Sequence, residues 1–141
     1  MVLEKTINVQ GYYLGDVRKD FPHSPAIFFV YGGTFNTEEH TCTLSQLLYV
    51  GQSDNLWKAN NESQLWESFV SALNPGESIF YSIAFTSYNE QEREEIMNAL
   101  RYELRPMLNA VDDISRPGKI IIIVEGNRHA FIPTRVEAPS Y

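Results

Sequence analysis

The chain has 141 residues, the length of one ordinary domain, and 43% of them are hydrophobic, enough for a single core. Its formal net charge is −7, which counts against a broad nucleic-acid-binding surface, because such affinity rests on neutralising phosphates. The single cysteine, Cys42, excludes an intramolecular disulfide and a multi-cysteine zinc site.

A reduced, cytoplasmic setting is expected from that cysteine usage. The opening MVLEKTINVQGYYLG has no long apolar run behind a positive flank, so no secretory leader is expected. The most apolar run, Ile120–Val124, is too short to span a bilayer.

Leu3 to Tyr13 is β-prone and reads as an N-terminal extension, residues 1–24, packed on the domain. Gly15–Pro25 is loop-like. Ala26–Tyr31 is short, apolar and aromatic, a strand that Gly32-Gly33 breaks. Thr34–Thr43 is polar and reads as a loop, and Leu47–Val50 as the next strand. From Asp54 to about Leu73 the pattern is helical, in two pieces split near Asn60-Asn61, with Leu65, Trp66, Phe69 and Leu73 forming a stripe. Ser53 or Asp54 is the expected N-cap.

Ser78–Phe85 is a third core strand. Asn89, three residues before Glu92, marks a capping box, and a helix is predicted from there to about Arg105, stopped by Pro106. Lys119–Glu125 is a buried strand. Gly126-Asn127 is a turn after which His129–Val136 pairs back. The tail Glu137–Tyr141 is expected to fray. The sum is one α/β (α+β) domain: a single mixed, largely antiparallel sheet flanked by helices, with a core over residues 25–110 and an added C-terminal β-hairpin and tail over 111–141.

The order of elements and three short segments carry a resemblance. Ala26-Ile-Phe28 with Phe29-Val-Tyr31, then Tyr49-Val-Gly-Gln-Ser-Asp-Asn-Leu56, then Ala99-Leu100 followed by Pro106 and Asn109, resemble the GIY-YIG nuclease superfamily. The connection between the first two strands is longer than that family usually has. The resemblance implies metal-assisted phosphodiester hydrolysis. It calls for two tyrosines to organise the attacking water and the phosphate, an arginine to stabilise transition-state charge, and a glutamate to hold a divalent cation.

Carried over residue by residue, the first tyrosine falls on Phe28, which lacks the hydroxyl, and the second on Tyr49, which is retained. The arginine position holds Ala59, and the glutamate position holds Met97. Three of the four groups are gone, and losing one such group costs orders of magnitude in rate. The expectation is a nuclease-like scaffold that no longer cuts, serving as a binding or structural module and needing no cofactor. A protein partner, or a second copy paired along the edge of the C-terminal hairpin, is the expected ligand; nucleic acid is weakened by the net charge, and no membrane is involved. The rival reading is an endonuclease with relocated groups: Tyr49, Arg101 in place of the missing arginine, and Glu94 or Glu95 holding Mg²⁺ or Mn²⁺. A third is a small-ligand pocket near Tyr31 and Tyr49.

The cations cluster late in the chain. Arg101 and Arg105 are four apart and are expected to share a helix face. Arg116, Lys119, Arg128 and Arg135 extend that stretch, either as a solvated face balanced by Glu92, Glu94, Glu95 and Glu103 or as an anion-binding patch. His40 and Cys42 read as an incidental pair.

Overall fold

A computed structural model of the chain describes residues 2–109, 113–127 and 131–141. Six strands form one sheet in the order β3-β2-β4-β1-β5-β6: β1 Leu3–Leu14, β2 Ala26–Asn36, β3 Thr41–Ser53, β4 Ser78–Phe85, β5 Ile120–Gly126 and β6 Arg135–Ala138. Every neighbouring pair is antiparallel except β1 with β5, which is parallel. Among the described residues, three α-helices, α1 Leu56–Asn61, α2 Leu65–Ser71 and α3 Glu90–Leu104, and a 3₁₀ turn at Gly15–Asp20 cover the sheet. The architecture is the mixed α+β domain that the sequence predicts.

The apolar runs of β2 and β4 reflect burial on both sides. Ile27, Phe29 and Tyr31 pack with Ile96, Ala99 and Leu100 of α3. Phe28 and Val30 pack on the other face with Leu56 of α1, Phe69 of α2 and Ile79, Tyr81 and Ile83 of β4. The capping box at Asn89 and Glu92 is formed. The N-cap of α1 is Asn55, whose side chain accepts from the Lys58 N–H, one residue beyond the expected Asp54. Among the described residues, no helix is long and apolar enough to cross a membrane.

Four expectations need correction. Residues 1–24 are not an extension packed on a core: β1 lies inside the sheet, between β4 and β5, and its buried Ile7 and Val9 belong to the main core. The stretch Thr34–Thr43 is not a loop. β2 and β3 continue as a paired hairpin out to Asn36 and Thr41, where β-branched and aromatic residues suit the pleat. The carboxamide of Asn36 accepts the Glu38 and Glu39 N–H groups, an Asx turn that closes the tip. The C-terminal return strand is shorter and later than drawn: β6 begins at Arg135, while His129 and Arg128 lie outside the described residues. The tail does not fray. The Tyr141 ring stacks on Tyr102 of α3 with centroids 4.8 Å apart, and Glu103 accepts the Ser140 N–H.

Candidate functional site

Tyr49 lies on β3, the strand at one edge of the sheet. Val30 pairs with Tyr49 and Tyr31 with Leu47, so Leu48 is the extra residue of a bulge. The bulge turns both Leu48 and Tyr49 toward α1 and α2, where they join the same apolar cluster. The Tyr49 ring sits between Phe28 and Phe69, at centroid distances of 6.0 and 5.3 Å. Gly51 makes this packing fit: a Cβ there would lie 2.6 Å from Cζ of Phe28 and 2.7 Å from Cε2 of Tyr49.

Arg101 reaches this edge from α3. Its Nε donates to the Val50 carbonyl at 2.8 Å, and a terminal nitrogen donates to the Tyr49 hydroxyl at 3.1 Å. Its guanidinium carbon is 5.2 Å from the centre of the Tyr49 ring. The segment after α3 completes the cover. The Met107 and Leu108 N–H groups donate to the Leu47 and Leu48 carbonyls. The buried carboxamide of Asn109 accepts the Val50 N–H at 3.0 Å and donates back to the Val50 carbonyl at 3.3 Å. The backbone of β3 from Leu47 to Val50 thus has partners on its outer side and is closed to further pairing.

The other named positions spread outward. Phe28 is 1% exposed and purely apolar in its packing. Ala59 packs partly buried beneath the same cluster, whereas Met97 packs against the core on the α3 face. Glu94 accepts a long hydrogen bond of 3.4 Å from Gln52, and Glu95 accepts from Gln91 one turn earlier. Among the described residues, no group of three or more His, Cys, Asp or Glu side chains is placed to hold a metal ion. Tyr31 faces away from Tyr49: it is fully buried on the α3 side, bonded to the Ser82 hydroxyl at 2.8 Å. The two tyrosines therefore belong to clusters on opposite faces of the sheet.

The arginines also diverge. Arg105 caps α3 in the left-handed conformation, and its guanidinium donates to the Tyr141 hydroxyl, so it does not share a face with Arg101. Arg116 donates to the Tyr141 carbonyl, and Arg135 pairs with Glu137 at 2.9 Å. Arg93 is 4% exposed, donating to Gln52 and to the Tyr88 carbonyl. Sequence reading passed over Arg93, although it lies on the stripe of Ile96 and Leu100, a spacing that signals burial. It placed Asn109 and Gln52 only within the family segments, and their side-chain bonds cross between elements far apart in the chain.

Compared with protein-family models, with curated proteins and with solved structures, the chain matches none.

Proposed function

We propose that this chain is a binding domain on a GIY-YIG-like scaffold that does not cut phosphodiester bonds, and that its ligand is a protein. The observation that carries the reading is the engagement of Arg101. A catalytic arginine must present its guanidinium to a phosphoryl oxygen where charge develops. Here that group donates to the Val50 carbonyl and the Tyr49 hydroxyl. The phenol it holds has lost its partner hydroxyl at Phe28, and that ring is buried. The tyrosine and arginine pair works as a clasp between α3 and the edge of β3.

Five of the late cations, Arg93, Arg101, Arg105, Arg116 and Arg135, are each bonded within the chain, which favours a protein ligand over nucleic acid; Lys119 is exposed, and Arg128 lies outside the described residues. Pairing of a second copy along β6 is disfavoured. That strand spans four residues, carries the Arg135–Glu137 ion pair and runs into Pro139, the features with which sheet edges resist pairing. The cytoplasmic setting belongs to the same reading, through the lone thiol of Cys42.

The endonuclease reading keeps one specific support, the 3.1 Å approach of Arg101 to the Tyr49 hydroxyl. It requires Glu94 or Glu95 to leave its glutamine partner and take a cation. Incubation of the full chain with supercoiled plasmid and with single-stranded DNA, in Mg²⁺ and then Mn²⁺, tests the two. No nicking is expected from wild type, Tyr49→Phe or Arg101→Ala. Metal-dependent nicking that both variants abolish would overturn the proposal.

A further inference from the structure

A helix leaves its first N–H groups without partners inside it, and α1 finds an acceptor for each of them close by. Leu56 donates to the Ser24 carbonyl at 3.0 Å and Trp57 to the Pro22 carbonyl at 3.2 Å. Lys58 donates to Oδ1 of the N-cap Asn55 at 3.0 Å, and Ala59 to the Asn55 carbonyl at 3.1 Å. His23 stands between the two loop residues that cap the helix. Its Nδ1 lies 3.1 Å from Nδ2 of Asn55, and its ring lies against Trp57 with centroids 5.0 Å apart. The Trp57 indole is itself held, donating to the Lys19 carbonyl at 3.1 Å.

The cap decides the direction of the His23–Asn55 bond. Asn55 Oδ1 is committed to the Lys58 N–H, so the amide presents its NH₂ to the imidazole, and an NH₂ donates. His23 Nδ1 therefore accepts. It can do so only in the neutral ring that carries its hydrogen on Nε2. A proton on Nδ1 sets N–H against N–H and breaks the bond. The amide cannot turn its oxygen to the protonated ring without giving up the Lys58 N–H.

The surroundings do not decide the matter by charge. In the 3₁₀ turn, Asp16 and Arg18 pair with each other at 3.9 Å, which leaves Lys19 and Asp20. Asp54 precedes the cap, and Lys58 follows it on α1. Those two acids and two bases offset each other, and among the described residues none forms an ion pair with His23. On the far side of the loop, Phe85, Thr86 and Ser87 carry no charge.

We infer that His23 is an acid-sensitive latch on α1: neutral, it holds the Asn55 cap to the Pro22–Ser24 loop, and protonated, it releases it. α1 lays Leu56 and Ala59 onto the cluster that contains Phe28 and Tyr49, so the latch governs how firmly that cluster is covered. This device goes beyond the binding-domain reading and does not depend on it.

NMR on the full chain tests it. At about pH 8, two-bond couplings of the His23 ring nitrogens are expected to show the hydrogen on Nε2. The Lys58 amide reports the cap. Its exchange protection, corrected for the intrinsic rate at each pH, is expected to fall about threefold to tenfold from about pH 8 to about pH 5, as the loss of one ordinary hydrogen bond implies. His23→Gln should remove that fall, and His40→Gln should leave it in place. Asn55→Asp is the sharper variant, because aspartate also caps a helix and its carboxylate accepts from the protonated ring; there the slope is expected to reverse, with protection rising in acid. The hydrogen found on Nδ1 at about pH 8 in wild type would overturn the inference without any variant. So would protection independent of pH, a fall that survives His23→Gln, or an unreversed slope in Asn55→Asp with its circular dichroism spectrum unchanged.

Discussion

The two ends of the β2–β3 hairpin share one pair of strands and differ in what lies against them. At the base, Phe28 and Tyr49 are enclosed by α1 and α2, and Arg101 and Asn109 close the strand edge. At the tip, Phe35 is 38% exposed and Cys42 half-buried beside an open groove. The base is where the resemblance to a nuclease would put chemistry, and it is sealed. The tip has no family role, and it carries the open apolar surface. Burial has turned the residues that first attract attention into packing.

Mutations break that comparison most sharply at the rings. Phe28→Ala is expected to destabilise by about 3–5 kcal/mol, as large-to-small changes in closed cores do. Phe35→Ala, on the same strand, should stay within about 0.5 kcal/mol. Urea unfolding measures both, and equal costs would erase the distinction between base and tip. Gly51→Ala sharpens the account of the base, because its methyl group would press into the Phe28 and Tyr49 rings; a loss of about 1–3 kcal/mol is expected from overpacking. Asn109→Ala leaves the buried Val50 N–H without its acceptor, and about 1–3 kcal/mol should be lost in the same assay.

The smallest expected effect is on acid stability. Hydrogen bonds from Ser45, then from the Asn74 N–H, hold the Glu77 carboxyl below its ordinary value, and the Lys5 bond does the same for Glu92. A carboxylate with a depressed folded-state value stabilises the fold above its unfolded value and loses that contribution as pH falls through the folded one. The urea midpoint is therefore expected to fall as pH drops below about 4.5, the ordinary value for these groups, and the Glu77→Gln, Glu92→Gln double variant should flatten that limb.

Much of the architecture was readable locally. The unbroken apolar and aromatic run Ile27–Tyr31 announces a strand, and Asn89 with Glu92 announces the start of α3, because composition and capping act over a few residues. The place of β1 was not readable: its parallel partner begins with Leu3 against Ile120, and nothing near Leu3 encodes a neighbour that far along the chain. The hairpin tip misled for a different reason. Thr34 and Thr43 look like loop chemistry, yet they pair with each other, as Asn36 does with Thr41, in an exposed ladder that hydrophobic pattern does not reveal. At the candidate site, Arg101 was named as a stand-in for the missing arginine under the endonuclease reading, and its guanidinium donates to the Tyr49 hydroxyl. What spacing could not show is the second bond to the Val50 carbonyl, a backbone group that no sequence pattern marks.

Amide hydrogen exchange sets the two ends of the hairpin against each other in one experiment. The account predicts slow exchange at Val50, whose N–H is held by the buried Asn109 carboxamide, and fast exchange at Glu38 and Glu39 in the exposed turn at the tip. Equal protection at the two ends, or faster exchange at Val50 than at the tip, would contradict it.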